Sequence, residues 1–116
     1  MKHNMRLKKE PFEKICAKKK TVELRLLDEK RKKVNVGDTI EFECPEAGGK
    51  IVTARVLALH RFSSFKELYA TLSLEKCGYG KDEIKKASPT EMEAYYSKEE
   101  QAKYGVVGIE FELEKE

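Results

Sequence analysis

Lys20, Glu23 and Arg25 are the residues of this chain whose types and spacing could do chemistry together. Glu23 and Arg25 lie two apart in Thr21 to Leu27, an alternation of apolar and polar residues that predicts a strand. Residues two apart on a strand share a face, so Val22 and Leu24 take the other one. Lys20 stands where the chain enters the strand, within reach of the pair. A carboxylate between two cations orients both and accepts from a base or amide N–H. A guanidinium reads phosphate or carboxylate in bidentate fashion, and a lysine adds a mobile point charge. Such a group suits a nucleotide or an RNA backbone. The alternative is a solvated strand face. The trio is bracketed by Lys18-Lys19-Lys20 and Lys30-Arg31-Lys32-Lys33, and exposed ion pairs contribute only ~0–1 kcal/mol.

The elements that must position the trio follow from periodicity. Met5 and Leu7 alternate with polar residues, which predicts a first strand. Pro11 suits the first turn of a helix, where a missing N–H is harmless, and Phe12, Ile15 and Cys16 follow at helical spacing. That helix runs into Lys18 to Lys20, charges favourable at a helix C-terminus. Beyond the trio come a charged turn or short helix, a Val36-Gly37-Asp38 turn, and a strand with Ile40, Phe42 and Cys44 on one side. Gly48-Gly49 is a hairpin signal leading into the longest strand, Lys50 to Phe62. Apolar residues on both of its faces mark it as a central or barrel strand, with room for a bulge.

Ser64 and Glu67 form a capping box, opening a helix with Phe65, Leu68, Tyr69 and Leu72 on one stripe. Glu75 to Asp82 predicts a glycine-punctuated loop. Capping boxes at Ser88–Glu91 and Ser97–Glu100 predict short helices over Thr90 to Tyr96 and Lys98 to Tyr104, the second closed by Gly105. The last strand turns Val107, Ile109, Phe111 and Leu113 inward and Glu110, Glu112 and Glu114 outward. About five strands, not alternating strictly with helices, predict an α+β fold: a mostly antiparallel or mixed sheet curled into a barrel with short helices around it.

With 116 residues, one domain spanning 1–116 is expected. An apolar fraction of 40% suffices for one core, and a net charge of +3 permits nucleic-acid binding without demanding it. Cys16, Cys44 and Cys77 form no CxxC pair and neither histidine lies near them, so the spacing of a zinc site is missing and reduced thiols are expected. There is no signal-peptide pattern, and no apolar run approaches the ~20 residues of a membrane span. A cytoplasmic protein with no membrane, metal or cofactor partner is the expectation. Without heptads, a monomer is the default.

Lys20, Glu23 and Arg25, then Val36-Gly37-Asp38 and Ile40-Glu41-Phe42, occur in an order that resembles the ASCH domain family, in its small stand-alone bacterial or archaeal form. That family's signature runs approximately G-x-K-x-x-E-x-R, followed by a charged segment, a VGD turn and a strand. The likeness continues through "TARVLALHRFSSFKEL" and the closing "KYGVVGIEFEL". The signature glycine falls at Lys18, so a differently shaped helix exit is expected, with an added cation at the pocket rim. The resemblance implies a PUA-like β-barrel of five to six mixed or antiparallel strands. It also implies a cleft between barrel and helices lined by Lys20, Glu23 and Arg25, and binding of RNA or modified nucleosides.

Two functions compete on these residues. In a binding module for RNA, a nucleoside or a nucleotide, Arg25 and Lys20, with Arg61 or Lys19, take phosphate and Glu23 pairs with a base edge. Tyr79 or Tyr104 stacks on the base. Tyr79, between Gly78 and Gly80, suits a lid or platform, whereas Tyr104 fits equally well as a helix residue covering the core. His60 reads as a satisfied strand residue. In an amidohydrolase, as in a bacterial branch resembling this chain that deacetylates N4-acetylcytidine, Lys20 is the catalytic lysine and Glu23 or Glu75 the carboxylate. That branch carries threonine at the position of Glu23, and a carboxylate beside Lys20 tends to hold it protonated. The enzyme is therefore the second reading. A protein partner for the charged runs Lys30 to Lys33 and Glu110 to Glu116 is the third, and nothing specific is assigned to them.

Overall fold

The computed structural model describes residues 1–114; Lys115 and Glu116, the end of the acidic run, lie outside them. Alternation places the strands much as expected: β1 (Lys2–Arg6), β2 (Val22–Leu26), β3 (Thr39–Cys44), β4 (Lys50–Phe62) and β5 (Val106–Leu113). They form one sheet in the order β1-β3-β4-β5-β2. β1 runs parallel to β3 and the remaining pairs are antiparallel, so the sheet is mixed. It curls into a half-barrel decorated with helices, an α+β barrel-like fold. β4 is central and carries the expected irregularity, a register shift between Val56 and Ala58.

The helices are α1 (Lys9–Cys16), α2 (Glu29–Lys32), α3 (Phe65–Thr71), α4 (Lys81–Lys86) and α5 (Lys98–Tyr104). Among the described residues, no helix is long and apolar enough to cross a membrane. α4 was not expected, because Ile84 is its one apolar residue and a single residue makes no stripe. Its start is fixed instead by the Glu83 carboxylate, which accepts from Gly80 N–H at 3.1 Å. Thr90 to Tyr96, expected as a short helix, is helical as a 3-10 segment over Pro89–Ala94. There Ser88 accepts from Thr90 N–H, and the closing bonds are i→i+3, from Glu91 N to Ser88 O and Tyr95 N to Met92 O.

One apolar cluster fills the concave side of the sheet, with Met5, Phe12, Ile15, Ile40, Phe42, Val107, Ile109 and Phe111 among its members. A second, smaller one lies beneath α3 and joins Val22, Leu24, Leu26, Phe65, Leu68, Cys77 and Val106. β5 thus departs from simple alternation: Val106 and Gly108 are buried as well, because α3 covers its other face. Gly108 answers that approach, since a Cβ there would stand 2.7 Å from Leu72 Cδ1.

Two turns prepare the site. After α1 the chain reverses in a Schellman motif: Lys19 N donates to Lys14 O at 2.9 Å and Lys18 N to Ile15 O at 3.0 Å. Lys18 takes the left-handed position at φ 61°, so the turn normally made by glycine is kept, with a lysine in it. Before β3, Asp38 ties down the Val36-Gly37-Asp38 turn. Its carboxylate meets His3 Nε2 at 2.8 Å and accepts from Asn35 N–H at 3.0 Å. Those bonds, with the Met1 amine 3.3 Å away, lower its pKa from 3.8 to about 2.

A left-handed non-glycine residue is disfavoured by about 1–2 kcal/mol, partly offset by glycine's greater freedom when unfolded. Lys18→Gly is therefore expected to stabilise the fold by about 0.5–1 kcal/mol, read as a rise of a few degrees in Tm. A carboxylate with a depressed folded-state pKa stabilises above its unfolded value and loses that stabilisation as pH falls through the folded one. Asp38→Asn should accordingly lower Tm at neutral pH, with the gap from wild type closing between pH 3.8 and about 2. A gap unchanged over that range in thermal melts would remove Asp38 from this role.

Candidate functional site

Lys20 leaves the Schellman turn and bridges, antiparallel, to Cys77 of the loop before α4. Lys76 O accepts from both Thr21 N at 2.7 Å and Val22 N at 3.0 Å, which fixes the entry into β2. Gly78 lies against the Lys20 stem: a Cβ there would stand 3.2 Å from Lys20 Cδ, and its φ of 99° disfavours any other residue. The lysine is thus aimed by backbone on one side and by a glycine on the other.

Glu23 is 3% exposed, so the trio is no solvated strand face. On β2 it pairs with Ile109 and Arg25 pairs with Val107, which puts both on the concave face of the half-barrel, at its rim. Lys20 Nζ lies 2.8 Å from Glu23 Oε1. Arg25 donates to Glu23 Oε2 from Nε at 3.0 Å and from Nη2 at 2.8 Å. Nη2 also donates to Arg6 O at 3.0 Å, reaching from β2 to β1, the two edges of the sheet. Burial alone would raise the Glu23 carboxyl; the charges and hydrogen bonds of Lys20 and Arg25 outweigh it and hold its pKa below 4.5. Burial works against the Arg25 guanidinium too, but Glu23, and after it Tyr96, shift it towards the charged form.

Above this floor lies a cleft of about 500 Å³. Its walls are α1 with Arg6 and Lys8 before it, the Cys77–Tyr79 loop, α4, and the 3-10 segment with Tyr95 and Tyr96. Tyr79 is anchored, its hydroxyl bonded to that of Tyr69 and their rings edge to face at 6.0 Å. Burial raises the pKa of both phenols. Tyr95 is 64% exposed at the rim. Lys14 crosses from α1 to the loop and α4, donating to Gly78 O at 2.7 Å and pairing with Glu83 at 3.2 Å. Cys77 also lines the cleft, but burial pushes its thiol up to about 11, which leaves it a poor nucleophile.

Of the expected site residues, Lys20, Glu23, Arg25 and Tyr79 converge on the cleft. Arg61 is exposed on β4 and is not among the cleft residues. Tyr104 packs on the second apolar cluster with the Lys103 ammonium 5.0 Å from its ring centroid, covering the core. Lys19 and Glu75 are exposed outside the cleft. His60 pairs with Glu110 across β4 and β5 at 2.9 Å. Sequence reasoning missed Tyr95, Tyr96, Lys14 and Glu83, which come from other helical segments. The one available signal was the Tyr95-Tyr96 doublet at the end of a short predicted helix.

Comparisons with known proteins bear on the family and the fold. A model of the ASCH domain matches residues 5–115. Among solved structures, hypothetical protein PH0355, known from a crystal structure, is 38% identical with a TM-score of 0.84, over 98% of this chain and 100% of the other. Protein PF0455 from Pyrococcus furiosus, solved by solution NMR, is 37% identical with a TM-score of 0.75, over 100% of both chains. No curated protein matches.

Removing one partner of a buried ion pair typically costs about 3–5 kcal/mol, because the other charge stays buried. Arg25→Met is therefore expected to destabilise strongly, and Glu23→Gln added to it should restore a good part of the loss. A double-mutant cycle by urea denaturation measures this; additive effects would show that the two side chains act independently.

Proposed function

The chain belongs to the ASCH domain family, whose PUA-like fold is associated with RNA binding, and we propose that it binds RNA, or a nucleoside or nucleotide, in the cleft above Lys20, Glu23 and Arg25. The observation that carries this reading is a buried, ionised Glu23 holding two cations at the floor of a cleft walled by tyrosines. Cations in a low-dielectric recess attract phosphate or carbonyl oxygens more strongly than exposed ones do. The aromatic wall at Tyr79, Tyr95 and Tyr96 gives a base a surface on which to stack. The proposed setting is the reducing cytoplasm, where the free thiols Cys16, Cys44 and Cys77 are stable, and the proposed state is a monomer.

The geometry favours binding over amide hydrolysis. A lysine serving as nucleophile or base must release its proton, yet Lys20 Nζ is held in an ion pair at 2.8 Å. Glu23, as a proton shuttle, would first have to leave both of its partners.

Calorimetric titration of the protein with short single-stranded RNA and with nucleosides should give saturable binding. Lys20→Gln, which can still donate a hydrogen bond to Glu23, should weaken it about tenfold or more, the worth of one charge-assisted hydrogen bond. Thermal melts confirm that the variant is folded. A folded Lys20→Gln that binds like wild type removes Lys20 from the site. Release of cytidine from N4-acetylcytidine, followed by chromatography, would move the function to an amidohydrolase.

A further inference from the structure

The chemistry of the cleft floor narrows the ligand class, on the premise that the cleft is the binding site proposed above. Both Glu23 oxygens are engaged, Oε1 by Lys20 and Oε2 twice by Arg25, so a ligand meets the cations and not the carboxylate. A lysine ammonium has three donors and a guanidinium five. Glu23 takes one from Lys20, which leaves two on Nζ. Glu23 and Arg6 O take three from Arg25, which leaves the two on Nη1, and the Tyr96 hydroxyl beside the guanidinium takes at most one of these. The floor therefore presents at least three N–H donors, against acceptors reduced to the remaining lone pair on a buried Glu23 oxygen and the Tyr96 hydroxyl. A base edge mixes donors and acceptors; a surface on which donors predominate fits an oxyanion.

Charge on the walls points the same way. The floor carries one net positive charge, from Lys20 and Arg25 against Glu23. Around it Arg6, Lys8 and Lys14 are balanced by Glu10, Glu83 and Glu91. Lys14 in particular is committed to Glu10 at 3.5 Å and Glu83 at 3.2 Å. A groove that tracks a nucleic-acid strand is basic along its length. Here the positive excess is confined to a single point and the balanced rim offers further phosphates no net attraction. A volume of about 500 Å³ likewise suits one small ligand.

We infer that the cleft takes a single nucleotide bearing a phosphomonoester, its phosphate on Lys20 and Arg25 and its base against the tyrosine wall at Tyr79 and Tyr95, in preference to the internal phosphodiesters of a running strand. Free mononucleotides and phosphorylated RNA ends share this chemistry.

Calorimetry with nucleoside 5′- and 3′-monophosphates, the parent nucleosides, and an RNA hexamer with and without a terminal phosphate decides the matter. At least one monophosphate should bind about tenfold or more tightly than its nucleoside. Its affinity should fall with salt on a logarithmic slope near −1, not the steep slope of a multi-phosphate contact. A phosphorylated hexamer that matches the mononucleotide makes the ligand an RNA end, and one that is excluded makes it a free nucleotide. Tyr95→Ala, at an exposed position that leaves the core intact, should weaken the monophosphate by about fivefold or more. An unchanged affinity overturns the placement of the base. Nucleosides binding as tightly as their monophosphates, or an unphosphorylated hexamer binding best with a steep salt slope, overturn this inference and leave the binding function standing. No binding of any of these probes overturns both.

Discussion

A carboxylate that is 3% exposed would be expelled from the interior or neutralised unless cations met it there, and the structure supplies two. They come from either side of Glu23 in the chain, Lys20 before β2 and Arg25 further along it. Arg25 does more than neutralise. β1 and β2 are the two edges of the sheet, and no strand pairing joins them; the guanidinium crosses from one to the other through Arg6 O. The buried charge, the link between the open edges of the half-barrel and the floor of the cleft are thus a single arrangement. A change to Glu23 for functional reasons would be felt in the fold, and a change to the fold at this seam would reach the site.

That coupling explains why the surroundings of Lys20 are so tightly specified. Its backbone is held between the Schellman turn of α1 and the bridge to Cys77, and its stem rests on Gly78. A free lysine loses up to ~2 kcal/mol of rotamer entropy when it is fixed. Here most of that loss occurs on folding, so the proposed ligand would meet a cation already in place, which is the physical content of preorganisation. The left-handed Lys18 is the point where this logic meets strain: the turn that delivers Lys20 is retained although the residue in it is poorly suited to the conformation.

Much of this was legible in the sequence because it rests on short-range rules. Alternation marked the strands, with β4 long and apolar on both faces, as a central strand must be. Spacing placed Glu23 and Arg25 on one face. The sequence could not tell which side of the sheet that face would meet, and the solvated reading followed from charge density alone; burial is a property of what packs opposite. Arg61 fitted a phosphate-binding role by residue type, yet β4 carries it away from the cleft. Tyr95 and Lys14 were invisible for the converse reason. They stand on segments distant in sequence, and only the approach of α1, α4 and the 3-10 turn to the end of β2 makes them neighbours. α4 itself lacks the apolar stripe that periodicity detects, being held by Glu83 and Lys14 and not by a buried face.

The distribution of charge gives the site its character. A protein with 24 basic and 21 acidic residues has ample lysine to build a basic track, and the exposed Lys18, Lys19, Lys30, Lys32 and Lys33 show that lysine is plentiful at its surface. The cleft does not use them that way. It places the excess at the floor, where the dielectric is low and one charge acts strongly, and balances the rim, where a further cation would be screened by salt and water. In the proposed site, selectivity would come less from total attraction than from where the single excess charge lies. On the inference drawn above, an anion that reaches the floor is small or terminal, and a chain held at the rim meets as many carboxylates as cations.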